Sequence, residues 1–208
     1  MNNITIAIIT TDQKINDKIY ACISKNNIKY LNNKCNYIGI LLYDNYNSID
    51  TSILENIDGI IFQGGTNIYP YHFQILDYAI NHNICVLGIC MGMQIIGLYA
   101  NNEEDKDLIK VNNHNNKNHY INNKKDSLLY KLYGSKFEVN SRHSFALDHI
   151  NKPFEITSLS DDNVIEAVEY IDDNHFIIGV QFHPEDMDNM QKLYNYFIKE
   201  CLQRKKLN

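Results

Sequence analysis

A cysteine stands between two glycines in the segment Gly88-Ile-Cys-Met-Gly92, where the apolar run Ile84–Ile89 ends. Apolar residues at helical spacing follow, so the pattern predicts a strand, a sharp turn at Cys90 and a helix. Small neighbours let the two backbones approach closely, and the turn directs the sulfur out of the sheet. Free N–H groups at a helix start stabilise a thiolate. Cys90 is therefore a candidate nucleophile, with a buried structural cysteine as the alternative.

A histidine and a glutamate follow another apolar strand, in the segment Phe182-His-Pro-Glu185. Alternate residues of an extended chain point to the same side, so His183 and Glu185 can lie together. Pro184 keeps the backbone extended and ends the strand. Glu185 could accept one imidazole N–H and leave the other ring nitrogen for Cys90. An incidental His and Glu in a surface turn is the alternative.

Two further segments carry polar or flexible groups that could bind a substrate. Gly64-Gly65 ends the strand before Cys90, and its N–H groups, with that of Met91, could form an oxyanion hole. The segment Asn140–Asp148 contains Arg142, His143 and Ser144, which suit recognition of a carboxylate or an amino-acid head group. A plain strand-to-loop turn and a surface turn are the respective alternatives.

Metal binding is not predicted from the histidines. His114 and His119 lie in an Asn-rich segment with no cysteine or carboxylate pair near them in the sequence. The remaining histidines have no partner that the sequence identifies: His72, His82, His149 and His175. We therefore expect no metal site.

The elements that must position these residues follow from hydrophobic spacing. In the first half, strands are predicted at Ile4–Thr10, Tyr37–Tyr43, Gly59–Phe62 and Cys85–Ile89, and helices at 13–25, near Ile53 to Ile57, at Tyr71–Asn81 and after Cys90. Strands that alternate with helices indicate a parallel sheet covered on both faces.

The second half has a different pattern. Residues 101–126 are polar, and we expect a solvated surface loop there, with a mobile lid as the alternative. Strands are predicted at Phe137–Asn140, Phe154–Leu159, Val164–Tyr170 and Phe176–Phe182, with hairpin turns at 161–163 and 172–174, and a closing helix at Met187–Cys201.

Length, charge and cysteine usage limit the classes of protein. The 208 residues suit one sizeable core, and we expect a single domain over 1–208. The net charge of -6 gives no reason to expect nucleic acid or a membrane surface. Five scattered cysteines without a CxxC pair favour a reducing cytoplasm. We find no signal peptide and no run of about 20 apolar residues that would span a membrane.

Taken together, the motifs resemble those of the class I glutamine amidotransferase-like superfamily. Gly88–Gln94 is similar to its nucleophile elbow and Gly179–Glu185 to its His–Glu signature. The resemblance spans nearly the whole chain. It implies an α/β fold of the flavodoxin-like kind, a three-layer sandwich with a mostly parallel central sheet.

Within the superfamily, the chain most resembles the peptidase C26 branch of stand-alone γ-glutamyl hydrolases, which includes the γ-glutamyl-γ-aminobutyrate hydrolases. Gly64-Gly65, the segment Asn140–His143 and the segment Asp161–Val168 carry this second resemblance. Gln63 stands where the branch usually has proline, and Arg142-His-Ser144 replaces paired histidines. Because of these differences, the resemblance does not identify the leaving group of the substrate.

The resemblance implies thiol acyl transfer on a small γ-glutamyl substrate, without metal or organic cofactor. Cys90 would attack the γ-carbonyl, Met91 and Gly65 would stabilise the oxyanion, and His183 with Glu185 would complete a triad. The residues implied to hold the glutamyl group are Gly64, Gln94, Arg142, His143 and Ser144. The sequence does not fix the oligomeric state, and a homodimer is one option.

Three other functions remain open on the sequence. A glutaminase subunit would carry the same motifs and deliver ammonia to a separate synthase partner. A Cys-bearing α/β-hydrolase would share Gly-x-Cys-x-Gly, but that fold usually has its acid before the histidine, whereas Glu185 follows His183. A binding module without turnover would normally lose one of the three catalytic residue types.

Overall fold

The computed structural model describes residues 4–42, 48–172 and 174–206. Its centre is a nine-stranded sheet with the order β4-β1-β5-β6-β13-β12-β11-β8-β9. The first five strands in that order pair in parallel, and the last four pair in antiparallel fashion. The sheet strands are β1 Thr5–Ile9, β4 Asn36–Ile40, β5 Gly59–Phe62, β6 Cys85–Ile89, β8 Asn115–Asn123, β9 Lys136–Arg142, β11 Phe154–Ser160, β12 Ile165–Tyr170 and β13 Ile177–Val180.

Five α-helices, four short strands and three 3-10 turns complete the described elements. The helices are α1 Lys25–Leu31, α2 Pro70–Asn81, α3 Met91–Asn101, α4 Leu128–Tyr133 and α5 Gln191–Lys205. Two small antiparallel pairs are formed by β2 Thr11–Ile15 with β3 Lys18–Cys22, and by β7 Ile109–Lys110 with β10 Phe145–Ala146. No helix within the described ranges is long and apolar enough to cross a membrane.

The central strands β1, β5 and β6 are continuous apolar runs and are buried on both faces of the sheet. On one face, Leu31 of α1 and Phe197 of α5 pack against Ile6 and neighbouring strand residues. On the other face, Leu76 of α2 and Ile96 of α3 pack in a second cluster. The predicted three-layer α/β sandwich with its mostly parallel sheet is therefore confirmed.

The predicted helix at 13–25 is wrong. Residues 11–22 form the β2–β3 hairpin, and a helix begins only at Lys25. Asn16 and Asp17 both have positive φ values, 47° and 61°, which suit a two-residue hairpin turn. Asn and Asp tolerate this conformation better than most residues. The isoleucines at helical spacing are exposed on the hairpin, as at Ile19, rather than buried on a helix face.

The loop predicted for residues 101–126 is also wrong in part. Asn115–Asn123 forms β8, the nine-residue strand between β11 and β9. Only Ile121–Asn123 pairs with β11, whereas most of β8 pairs with β9. This end of the sheet is therefore a two-stranded β8–β9 ribbon. Asparagine has a low strand propensity, so the composition of this segment predicted a loop. Pairing with β9 determines its conformation instead.

Most other predicted elements are confirmed, with shifted ends. The segment Asn140–Arg142 belongs to β9 rather than to a loop, and α5 begins at Gln191 because Pro184–Asp186 forms a separate 3-10 turn. A 3-10 turn also replaces the short helix near Ile53. Tyr43, in the second predicted strand, and Asp173, in the second predicted turn, lie outside the described residues.

Candidate active site

Cys90 lies at a strained turn between β6 and α3. Its φ of 51° and ψ of -103° are rarely adopted by a non-glycine residue. The Cys90 N–H donates to the carbonyl of Val180 on β13, at 2.8 Å, which fixes the turn to the neighbouring strand. At Gly92 a Cβ atom would lie 2.2 Å from the carbonyl oxygen of Phe62, so only glycine fits there. The predicted elbow is present, and Cys90 is 7% exposed.

His183 and Glu185 lie together just beyond β13, as alternation along an extended chain predicts. The imidazole Nδ1 is 2.7 Å from Oε1 of the buried Glu185 carboxylate. Burial opposes a charge on the ring, but hydrogen bonds to Cys90 and to Glu185 outweigh it and raise the pKa of His183 to about 10. The protonated form of the ring is therefore favoured beside the cysteine sulfur.

Asn140 fixes the backbone of His183, a role that sequence analysis missed. Its side-chain amide donates to the His183 carbonyl, and its carbonyl oxygen accepts from the His183 N–H, both at 2.8 Å. These two bonds continue the strand-like pairing past the end of β13. The β8–β9 ribbon brings Asn140 there, and nothing local in the sequence indicates that contact.

Gln181 is a second missed residue. It is fully buried, its amide nitrogen lies 3.6 Å from the Cys90 sulfur, and its amide oxygen accepts from Gln94 at 3.3 Å. Gln94 also donates to the carbonyl of Phe145, at 2.9 Å. Gln181 precedes His183 by two positions, so the alternation rule could have placed it on the same side.

The glycine pair follows β5, and Gly64 faces His183 and Cys90. A Cβ at Gly64 would lie 2.6 Å from Cε1 of His183, so the ring occupies the space that a side chain would need. A Cβ at Gly65 would lie 2.9 Å from the side chain of Met91. Gln63 anchors this turn, because its amide group bonds to the Ile9 carbonyl at 3.0 Å.

A cavity of about 370 Å³ opens beside Cys90. Four of the five residues predicted to hold the glutamyl group line it, and Gly64 does not. The lining residues are Gly65, Thr66, Ile68, Cys90, Gln94, Asp105, Leu108, Arg142, His143, Ser144 and Phe145.

The guanidinium of Arg142 forms an ion pair with Asp186, so it is partly neutralised. That pair helps to hold the pKa of Asp186 below its usual range against the effect of burial.

His143 belongs to a second group of residues that the sequence did not connect. It lies with His114 and His119 around Glu166 of β12, whose side chain is fully buried. Burial opposes ionisation of Glu166, but the surrounding imidazoles hold its pKa at about 2. The sequence showed no carboxylate near His114 and His119 because Glu166 is more than forty positions away.

Comparisons with known proteins agree with this geometry. The family model of peptidase C26 matches residues 71–185. A glutamine-hydrolyzing GMP synthase subunit of Methanosphaera stadtmanae is 31% identical, over 84% of this chain and 88% of the relative. A Schizosaccharomyces pombe protein named as a candidate glutamine amidotransferase is 30% identical, over 71% of each chain.

Among solved structures, the glutaminase domain of the Trypanosoma brucei CTPS, with bound acivicin, superimposes with a TM-score of 0.68. The match covers 97% of this chain and 95% of that domain, at 17% sequence identity, and it shows the shared fold. With the family match over residues 71–185, these findings show that the chain belongs to the peptidase C26 family and has the class I glutamine amidotransferase fold.

Proposed function

We propose that the protein is a stand-alone cysteine hydrolase that cleaves a γ-glutamyl amide bond and releases glutamate with an amine-type product. One observation carries the proposal. Cys90, on its strained turn, lies beside an imidazolium that is held by Glu185, and it faces a cavity lined by polar groups. This is the arrangement that acyl transfer to a thiol requires.

In the first half of the reaction, the Cys90 thiolate attacks the γ-carbonyl carbon and the carbonyl oxygen becomes an oxyanion. The N–H groups of Met91 and Gly65 are the candidates to stabilise it, since Met91 begins α3 and the first N–H groups of a helix have no partner within the helix. The C–N bond then breaks, and the His183 imidazolium gives its proton to the leaving nitrogen. A glutamyl thioester and a free amine result.

In the second half, neutral His183 takes a proton from water and the hydroxide attacks the thioester. The C–S bond breaks, glutamate leaves, and the thiolate and imidazolium are restored. Glu185 keeps Nδ1 protonated throughout, so that the opposite ring nitrogen serves the reacting groups. The net reaction consumes one water molecule for each amide bond that is cleaved.

The glutamyl group would be held by Gln94 and by the backbone of the segment 142–144. Gln94 is buried against Phe145 and Gln181, so its position is fixed before a substrate arrives. Arg142 would act mainly through its backbone, because its guanidinium pairs with Asp186. The leaving group would contact other lining residues of the cavity, with Ile68 and Asp105 as candidates.

The proposal is tested by glutamate release from a panel of substrates. The panel contains glutamine, γ-glutamyl-γ-aminobutyrate, other γ-glutamyl amines and peptides, and a γ-glutamyl phosphoramidate, with the Cys90→Ala protein as the control. We expect strong turnover of one conjugate, poor turnover of glutamine, and none by the control. Absence of turnover on every conjugate, or weak turnover of glutamine alone, would contradict it.

A glutaminase subunit is the second candidate, and two observations favour it. Several relatives are named as glutamine-hydrolyzing GMP synthase subunits. The β2–β3 hairpin beside the glycine turn also exposes apolar side chains, including Ile15, Ile19 and Tyr20, as a partner surface would. This candidate predicts glutaminase activity that rises when a co-purifying synthase is added, and the γ-glutamyl panel distinguishes the two.

A further inference from the structure

The second histidine group surrounds the carboxylate of Glu166 and contains neither Cys90 nor His183. Glu166 has no exposed surface, and its ion-pair partners among the described residues are three imidazoles, with no lysine or arginine. A fully buried carboxylate needs a compensating positive charge. Neutral imidazoles do not supply one.

His143 and His114 each make one contact on the side of the ring away from Glu166, and that contact decides which ring nitrogen carries the hydrogen. His143 Nδ1 lies 3.0 Å from the carbonyl oxygen of Phe145, which can only accept, so Nδ1 is the donor. His114 Nε2 lies 3.1 Å from the Asp162 carboxylate, which also accepts, so Nε2 is the donor. In the neutral tautomers the other nitrogen of each ring therefore carries a lone pair.

Both lone-pair nitrogens face the same carboxylate oxygen. His114 Nδ1 is 3.4 Å and His143 Nε2 is 3.6 Å from Oε1 of Glu166. Within the described part of the chain, none of these three atoms has a hydrogen-bond partner of acceptable geometry. With both rings neutral, these three acceptors converge in a buried space and repel one another, and either a further proton or a metal cation between them removes that repulsion.

The spacing suits a metal ion. Ligand atoms of a tetrahedral zinc site, about 2.0–2.1 Å from the ion, are separated by about 3.3 Å from one another. The two measured separations are close to that value, and the ligand atoms of His114, His143 and Glu166 all lie within 4.8 Å of one another. The third imidazole, His119, places Nε2 at 2.9 Å from the same oxygen.

The outer contacts also match those of metal-bound histidines. Such a histidine usually donates its other N–H to a carboxylate or a backbone carbonyl, which fixes the ring and its tautomer. Asp162 has this role for His114, and the Phe145 carbonyl has it for His143. Asp162 is itself oriented by the hydroxyl of Ser160.

We propose that His114, His143 and Glu166 bind a divalent first-row metal ion, zinc being the best fit. Imidazole and carboxylate ligands in a tetrahedral arrangement are characteristic of zinc. The ion lies behind the wall of the catalytic cavity, since His143 lines that cavity and its partner Phe145 also accepts from Gln94. Its role is to hold the segment 142–145 in place.

The test is a zinc titration of the full-length protein in competition with a chromogenic chelator. The Cys90→Ala background removes the catalytic thiol as a competing ligand, and a His183→Ala variant removes the other potential cluster, which includes Glu185 and Asp186. We expect one zinc ion per chain in both variants. Cobalt(II) in its place should show the strong visible bands of a tetrahedral site.

Two substitutions change the site to different extents. Glu166→Gln should weaken zinc binding at least about 100-fold, because it removes the anionic ligand. Asp162→Asn should weaken it about 10- to 100-fold, the range known for partners of ligating histidines. The Asp162 side chain is mostly exposed, so this variant should fold even if Glu166→Gln does not. Glu169→Gln, a substitution of the same kind on the same strand, is the matched control and should bind zinc like the parent.

Thermal unfolding supplies an independent measurement. At a zinc concentration about 100 times the dissociation constant, the parent midpoint should rise by about 5–10 °C, and Glu166→Gln should not respond. The proposal is overturned if the parent binds no zinc, cobalt, nickel or manganese. It is equally overturned if Glu166→Gln and Asp162→Asn both bind zinc as tightly as the parent, because the ion would then lie elsewhere. Neither result depends on the proposed hydrolase activity.

Discussion

Two regions of this molecule pair histidine with a buried glutamate. They differ in what surrounds the histidine rings on the side away from the glutamate. At the carboxyl ends of the parallel strands, Glu185 holds His183 against Cys90, beside an open cavity. In the antiparallel half, Glu166 is enclosed by three imidazoles with no exposed surface of its own. The first arrangement can exchange a proton with a substrate, whereas the second surrounds a buried carboxylate with rings that can hold a proton or a metal cation.

The difference also concerns how each region is assembled. His183 and Glu185 are two positions apart, so one extended segment brings them together. The histidines around Glu166 of β12 come from just before β8, from its middle and from just after β9. Substitutions in the first region should therefore change the rate of the reaction, and substitutions in the second should change ion binding and stability. Kinetic and unfolding measurements can test this contrast, beginning with the largest expected effect.

Cys90→Ala should lower kcat by at least about 10⁴-fold, because it removes the group that forms the thioester. Glutamate release measured by a coupled assay checks this on the conjugate that the wild type cleaves best. The matched control is Cys22→Ala, a free cysteine outside the cavity, which should retain activity. Activity that survived in Cys90→Ala would remove the nucleophile from the catalytic region.

Glu185→Gln should lower kcat by about 10²- to 10⁴-fold with little change in KM, because the imidazole loses the carboxylate that fixes its tautomer. Glu166→Gln is the counterpart in the other region and should act on stability and on KM through the cavity wall. Steady-state kinetics and urea unfolding of both variants measure the contrast. Equal losses of kcat in the two variants would contradict the division of roles.

Asn140→Ala should lower kcat by about 10- to 100-fold, since a shift of about 1 Å in a catalytic group has an effect of that size. The substitution removes both bonds to the His183 backbone, and Asn140 is not among the residues that line the cavity beside Cys90. Asn118→Ala, at the paired position on β8, is the matched control and should be near wild type. A rise in KM alone would show that Asn140 contacts the substrate instead of positioning His183.

The stability of the protein should decrease as the pH rises toward 10. His183 has a folded-state pKa of about 10, above its ordinary value of 6.5. The imidazolium therefore contributes stability that is fully present below about pH 6.5 and is lost as the pH rises through about 10. Urea unfolding between these limits should give a steeper decline for the wild type than for His183→Gln. Parallel curves would mean that His183 is not held as an imidazolium.

Cys90→Gly should be more stable than Cys90→Ala by about 1 kcal/mol or slightly more. Alanine keeps the Cβ atom at a positive φ of 51°, and glycine relieves that strain. Denaturant unfolding of the two inactive proteins measures the difference directly. Equal stabilities would show that the turn at Cys90 stores no strain. No corresponding effect is expected at Glu166, which lies in the regular strand β12.

The sequence predicted the parts of the fold and of the site that depend on neighbours in the chain. The apolar runs of β1, β5 and β6 predicted the buried half of the sheet. A strand that is buried on both faces is apolar at nearly every position, so it can be recognised from its own residues. The glycines around Cys90 and the alternation of His183 with Glu185 located the catalytic region. The hairpin at 11–22 was missed because isoleucines at helical spacing hid the turn signal of Asn16 and Asp17.

Only the tertiary structure decided which distant groups meet. The β8–β9 ribbon brings Asn140 to the backbone of His183, and it brings three histidines to Glu166, although composition alone favoured a solvated loop for part of it. These contacts depend on strand pairing over long sequence separations, which no local pattern encodes. Local sequence thus determined the candidate nucleophile and the His183–Glu185 pair, whereas long-range pairing determined what holds them in place and which groups surround Glu166.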